Sequence, residues 1–383
     1  MAPVGLPEVL REWGRIGAIG FGGPPAHVAL LRELCVERRG WIDAREFEDA
    51  NAATGLLPGP ASTQLAILCA ERVAGWRGAV VGGLAFILPG LVLLLALAAV
   101  TLQDAPPAWV RGLSAGAGAA VVAVVARACL DLARASLAER PGAALARAVA
   151  YLVAGAVAAL AVGAWVVLAL LGCGLAELVA RRVLPRPPGA AVHAWPAVLV
   201  LAARGAEELP ALAWTALKVG ALSYGGGFVI VPLMEADAVR VHDWMTQGEF
   251  LNVVALGQLT PGPLVQTVAG VGYAAAGLGG GLLAAAVAFA PSFLVAAIGG
   301  ERFARLRSSP SARAFLDGAG PAAVGAILGA GVVLVDAVRE PWQVAVLVVA
   351  AIALFVGRVG AVPVLLAAAL AGTAAALSGA PLP

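Results

Sequence analysis

The chain has 383 residues, 61% of them hydrophobic and 13% charged, with a mean hydropathy of +0.93. A soluble domain carries about 25% charged and about 45–50% apolar residues, so the composition excludes a water-soluble enzyme, a nucleic-acid binder and a disordered chain. Basic and acidic residues nearly cancel, 25 against 23, which gives no sign of a polyanionic polymer as partner; the lipid bilayer is the expected surrounding.

Glu8, Arg11, Glu12 and Arg15 interrupt the first apolar stretch, so a cleaved signal peptide is not expected. The stretch Pro7–Leu31 is broken at Gly20-Phe21-Gly22-Gly23-Pro24-Pro25, and Phe47–Val73 at Pro58-Gly59-Pro60. Uninterrupted spans follow at Gly78–Leu102, Gly112–Leu130, Arg147–Gly163 and Ala164–Ala180, each close to the ~20 residues that cross hydrocarbon. The same order then repeats. Pro210–Met234 breaks at Gly225-Gly226-Gly227 and Phe250–Ala275 at Pro261-Gly262-Pro263, followed by Leu278–Ile298, Phe315–Val335, Trp342–Val356 and Ala361–Leu377. Proline removes a backbone donor and clashes with the preceding turn, so none of the broken stretches is one regular helix. The run from Arg181 to Gly189, rich in Arg and Pro, marks a connector. Expected units are a first repeat over 1–185, a linker over 186–205 and a second repeat over 206–383. The four cysteines, Cys35, Cys69, Cys129 and Cys173, contain no C-x-x-C pair and are expected to pack as small apolar residues.

At an offset of 203 residues (Phe21 onto Tyr224), the halves align without a gap across Phe21–Ala66 and Tyr224–Ala269. Gly22-Gly23 falls on Gly225-Gly226, Trp41 on Trp244, Glu46-Phe47 on Glu249-Phe250, and one Pro-Gly-Pro on the other. Matching Trp, Gly-Gly and Pro-Gly-Pro, not Ala and Leu, is the mark of duplication. Charge suggests that the copies are inverted. The loop Arg32–Arg45 holds Arg32, Arg38, Arg39 and Arg45, whereas Glu235–Glu249 holds Arg240 alone, and cytoplasmic loops carry the Arg/Lys excess. The expected fold is therefore all-α and polytopic: two homologous halves as an inverted repeat, about ten crossings, with the Pro-Gly-Pro segments re-entrant.

A broken helix in hydrocarbon exposes backbone groups that cost several kcal/mol unless shielded. Inverted-repeat carriers use such breaks to aim free N–H groups and positive helix ends at an anion near the midplane. The candidate substrate-binding set is Gly22, Gly23, His27, Pro58, Gly59, Pro60, Ser62, Thr63 and Gln64 from the first half. From the second half come Lys218, Ser223, Gly225, Gly226, Thr260, Pro261, Gly262, Pro263, Gln266 and Thr267. Hydroxyls, amides and backbone donors suit a tetrahedral oxyanion. His27 falls on Ile230, so any role it has is not duplicated; Lys218 either pairs with the anion or snorkels outward. No cofactor motif, carboxylate pair or His/Cys cluster marks an enzyme, and no cofactor or metal is expected.

At these motifs the sequence resembles the chromate ion transporter family in its long, two-domain form. Phe21 through His27, Trp41 through Phe47, Leu57 through Pro60, Ser223 through Gly227 and Leu259 through Pro263 carry the resemblance, with Tyr224 standing where the first half has Phe21. The resemblance implies an inner-membrane carrier that expels chromate, a sulfate analogue, using the proton gradient. The residues leave open a sulfate or other oxyanion carrier and a passive anion channel, and they leave a homodimer open.

Overall fold

The computed structural model describes residues 4–54, 59–103, 105–138, 140–161, 166–181, 208–223, 228, 230–298 and 309–382. Regular structure among them is entirely helical. The first half contains α1 (Leu6–Ile19), α2 (Pro24–Arg32) running into a π-helical turn (Glu33–Arg38), α3 (Ala44–Thr54), α4 (Ala61–Thr101), α5 (Ala108–Leu137), α6 (Gly142–Ala161) and α7 (Val166–Ala180). The second half contains α8 (Glu208–Leu222), α9 (Ile230–Glu235) with its π turn (Ala236–Val241), α10 (Gln247–Leu259), a 3-10 turn (Leu264–Gln266), α11 (Thr267–Ile298), α12 (Pro310–Val335), α13 (Pro341–Phe355) and α14 (Ala361–Leu377). The expected linker 186–205 lies outside the described residues.

The first two broken stretches are hairpins. The 14 residues of α1 form the first leg. Gly22 (φ +101°) and Gly23 (φ +74°) then take left-handed backbone and turn the chain back. The return leg ends beside the N-terminal half of α1: Arg39 pairs with Glu8 of its first turn at 3.1 Å, Arg38 and Arg39 donate to the Glu12 carboxylate at 2.7 and 2.8 Å, and Trp41 stacks on Trp13. The second hairpin runs inward along α3 and back along residues 61–73 of α4, where Val4 N–H donates to Val73 O and Arg72 pairs with Glu46. Ala74 and Gly75 (φ +66°) leave helical geometry, and only residues 76–101 continue across the bundle.

Eight apolar helical segments make up the rest of the bundle, four per half: 76–101, α5, α6 and α7, then 278–298, α12, α13 and α14; five lie in helices long and apolar enough to cross a membrane, and α7, α13 and α14 are shorter. Of the two interrupted stretches that the expectation counted as passes, Pro7–Leu31 turns back within the described residues, and Pro210–Met234 includes residues 224–227 and 229, which lie outside them. The first is a re-entrant hairpin, because the Glu12–Arg38/Arg39 pairing ties its two ends to one level. Arg181 pairs with Asp317 near the start of α12. Glu208 opens α8, which packs along α11 with Gly220 against Ala288. These two residues, which bracket the connector, lie at opposite ends of the bundle.

Corresponding helices of the two halves run antiparallel. Gly83 of α4 faces the Phe293 ring while Leu95 faces Gly281, and on α5 Val125 approaches Gly331 while Cys129 approaches Val324. Copies related by an axis along the membrane normal would run parallel, so the axis lies in the membrane plane. The halves also exchange partners: α5 packs on α13 and α14, and α12 packs on α6 and α7. Small residues allow these close crossings. The Cβ that Gly155 lacks would stand 1.9 Å from Ala322 O, and that of Gly116 2.2 Å from Ala368 O.

The repeat holds its offset of 203 through the π turns, whose limits correspond residue for residue. It then loses one residue at the second Pro-Gly-Pro. Gln64 lies over Gly59, and Gln266, not Thr267, lies over Gly262. The later kinks, Ala74-Gly75 and Ala276-Gly277, follow an offset of 202. The gapless alignment to Ala66 is thus corrected just after Pro263. The 3-10 turn there explains the tolerance. Three residues rising about 2.0 Å each instead of about 1.5 Å recover about 1.5 Å, the length of the missing residue.

Sidedness reporters at Arg39 and Gly75 will read one face and a reporter at His242 the other. Agreement between Arg39 and His242 would overturn the inversion; disagreement between Arg39 and Gly75 would overturn the second hairpin.

Candidate functional site

Three helix starts converge at the middle of the bundle. Pro24 opens α2, Pro60 to Ser62 open α4, and Pro263 to Val265 open the 3-10 turn before α11; together with Ser223 at the end of α8 they enclose a void of about 10 Å3. That is room for about one water. Among the described residues the Ser223 hydroxyl has no hydrogen-bond partner, nor has the buried Thr63 hydroxyl. Proline suits each helix start because the N–H it lacks is among those a first turn leaves unpaired.

A larger cavity of about 470 Å3 abuts this void, with Pro24 and Leu264 lining both. Gly22, Gly23, Pro25, Gln258, Thr260 and Gly262 form its inner wall, and Arg127, Asp131 and Arg358 line it farther out. Gly22 and Pro25 are exposed although they sit at the level of the bundle centre. The cavity runs along the C-terminal half of α5, toward the end of the bundle that holds Arg38, Arg39, Arg45, Arg72, Arg134, Arg140, Arg147 and Arg181. We call it the vestibule.

The other sequence candidates brace the breaks. His27 is fully buried; its Nε2–H donates to Gly20 O at 2.9 Å, and its Nδ1 lies 3.2 Å from the Ser62 hydroxyl. With one nitrogen donating, the neutral ring accepts the Ser62 proton at the other. Gly20 O also accepts Gly262 N–H at 3.0 Å, so one carbonyl joins the Gly-Gly break of the first half to the Pro-Gly-Pro break of the second. Gln266 Nε2 donates to Pro261 O (2.8 Å) and to Thr260 Oγ1 (3.0 Å), and the Thr267 hydroxyl donates to Leu264 O (2.6 Å). Gly59 and Gly262 both carry positive φ (+116° and +95°) beneath these amides.

Lys218 is not at the void. Its Nζ lies 2.5 Å from Asp237 Oδ2, which also accepts the Thr215 hydroxyl, so its charge is already balanced. This answers the snorkelling question: Lys218 neither faces an anion nor reaches solvent. Pro58, Gly225 and Gly226 lie outside the described residues. Sequence reasoning missed Pro24 as a wall shared by void and vestibule, and it missed Arg127, Asp131 and Arg358. Only the last three carry charge, and nothing in the sequence links them to the breaks.

This is the architecture of a multi-pass membrane transporter with broken helices meeting at its centre. The chromate transporter family profile matches residues 7–178 and 210–373, and the chain belongs to that family. It is 32% identical over 341 residues to the chromate transport protein of Cupriavidus metallidurans, covering 86% of this chain and 82% of that one. It is 30% identical to a probable chromate transport protein of Synechococcus elongatus, covering 86% and 84%. An uncharacterized transporter of Bacillus subtilis is 37% identical over 111 residues, 29% of this chain and 56% of that one. No solved structure matches. The protein is thus a transporter of the inner membrane and not an enzyme.

Gly90 of α4 makes room for the second break, since a Cβ there would stand 1.9 Å from Pro261 O. Gly90→Ala is expected to cost about 1–3 kcal/mol, read as a lowered Tm in detergent. Gly172→Ala, where nothing lies within 4 Å, leaves Tm unchanged.

Proposed function

We propose that this protein exports chromate, with the oxyanion bound where the three helix starts and Ser223 converge. One observation carries the placement: a buried hydroxyl with no partner among the described residues, beside converging helix N-termini, in a void that shares Pro24 and Leu264 with the vestibule. The unpaired N–H groups of first turns and the positive dipole ends favour an anion. The void holds about one water, so binding requires the helix starts to part, which alternating access between inverted halves provides.

Direction follows from charge. The vestibule leads to the arginine-rich end, while Arg111, Arg240 and Arg339 mark the other end. The Arg/Lys excess belongs in the cytoplasm, so this conformation faces inward. With the interior negative, each charge carried out gains about 2.3 kcal/mol per 100 mV, so a dianion is driven outward by the potential itself. Proton exchange, which the family resemblance implies, adds the pH gradient to that drive. The relatives named for chromate transport support the substrate. Sulfate, with the same shape and charge, competes for the same donors.

Chromate uptake into everted vesicles tests this. Ser223→Ala is expected to raise KM about tenfold, the cost of one hydrogen bond to a charged group. Pro60→Ala and Pro263→Ala at matched expression are expected to lower the rate at least tenfold. Wild-type kinetics in all three would remove the central site. Uptake that survives collapse of the potential but stops on collapse of the pH gradient would remove the electrical drive.

A further inference from the structure

We propose that the vestibule is an anion-capture site built around Arg358, and that its absence from the opposite pathway biases the carrier toward export. This rests on the inward-facing reading above and adds a site that the breaks do not supply.

Three charged side chains line the vestibule. Arg127 is committed: its Nε donates to Asp131 at 2.8 Å, its Nη1 donates to Leu354 O at 3.0 Å, and its guanidinium lies over the Phe355 ring. It pins the C-terminal end of α13 to α5. Arg358 sits three residues beyond that end and has no acidic partner among the described residues. Arg127 and Asp131 neutralise one another, so Arg358 leaves the vestibule with a net positive charge. Farther in, on the same wall, Gln258 Nε2 is a buried donor with no partner among the described residues.

The backbone of Arg358 is a second, independent sign. Its φ is +52°, a left-handed conformation that costs an ordinary side chain about 1–2 kcal/mol. Val359 N–H closes this helix end on Ala353 O, six residues back. The same closure ends both π turns, where Trp41 N–H reaches Cys35 O and Trp244 N–H reaches Ala238 O. The left-handed slot in those two closures is filled by Gly40 and Asp243, residue types that tolerate it. An arginine held there against its backbone preference points to a use for the guanidinium.

The pseudo-symmetric position supplies the contrast. At the offset of 202 that governs these helices, Arg127 falls on Gly329 and Asp131 on Val333. Gly329 is packed so closely on α6 that a Cβ would stand 2.7 Å from Ala156 O and 2.8 Å from Ala159 Cβ. Arg358 itself follows α13, and the corresponding first-half stretch, through the end of α6 and along α7, holds no Arg or Lys from residue 148 to residue 180. An anion meets an unpaired guanidinium in the inner cavity, and the corresponding stretch of the other half offers none.

The test is chromate uptake in everted vesicles at low and high salt. Arg358→Gln is expected to raise KM about tenfold at low salt with Vmax unchanged, and high salt is expected to shrink the difference by screening. Arg358→Lys keeps the charge and restores KM. Arg358→Gly relieves the left-handed strain, so its Tm equals or exceeds wild type while its KM matches that of Arg358→Gln; this separates lost capture from misfolding. Wild-type KM in Arg358→Gln or Arg358→Gly, or a loss of Vmax with KM unchanged, overturns the capture site. If the Arg358 variants are neutral while Ser223→Ala is impaired, the vestibule proposal falls and the central site stands. If the wild-type protein carries no chromate, the reading beneath both falls.

Discussion

The carbonyl oxygen of Gly20 holds the centre of this protein together. It accepts His27 Nε2–H from its own half and Gly262 N–H from the other. In hydrocarbon, a backbone group released by a helix break has no water to turn to and costs several kcal/mol if left alone. The molecule meets that cost by pairing the break of one half with the break of the other. This explains why the breaks must coincide in space, why the halves must be inverted to bring them face to face, and why α5 and α12 each pack on the partner half. A single half would leave its breaks uncovered.

The duplication preserved geometry more faithfully than chemistry. In the first π turn Arg32 pairs with Glu37; at the matching positions of the second, Glu235 pairs with Arg240. The wider π turn brings residues five apart into register, and either order of charge satisfies it. Glu12, which ties the first hairpin closed, corresponds to Thr215, whose hydroxyl instead joins the buried Lys218–Asp237 pair. The deletion after Pro263 belongs to the same pattern: a change in helix type absorbs it, and Gln266 still reaches the break.

Periodicity and hydropathy made the eight apolar helical segments of the bundle legible, because a long apolar run has few alternatives in a bilayer. Trp41, Glu46 and Pro-Gly-Pro made the duplication legible for the opposite reason, being rare in such runs. What lay hidden depends on partners far apart in sequence. Whether Pro7–Leu31 crosses or turns back is decided by Glu12 meeting Arg38 and Arg39, and local pattern carries no trace of that meeting. His27 and Lys218 were singled out because charge in apolar sequence is costly. The cost is real, but Gly20, Ser62 and Asp237 meet it, so these residues hold the site's frame instead of facing its void. Arg358, in contrast, looks like any arginine at a helix end, and only its backbone angle and the cavity beside it distinguish it.

A symmetric scaffold has to reconcile two demands. Alternating access needs the inward and outward states to be close in energy, which inverted copies of one fold supply through equivalent contacts. Net transport in one direction needs a driving force, and it gains speed where capture on one side is favoured over recapture on the other. A shared central site does not discriminate between faces, because both half-cycles pass through it. Asymmetry therefore has to sit off the axis, in the parts where the copies have been free to diverge. The corner after α13 that carries Arg358, set against a first-half stretch without Arg or Lys from residue 148 to residue 180, is such a part. An anion held there stabilises the conformation in which the vestibule is open, whereas without the anion the two conformations keep their balance, because the residues that differ are not those that hold the breaks together.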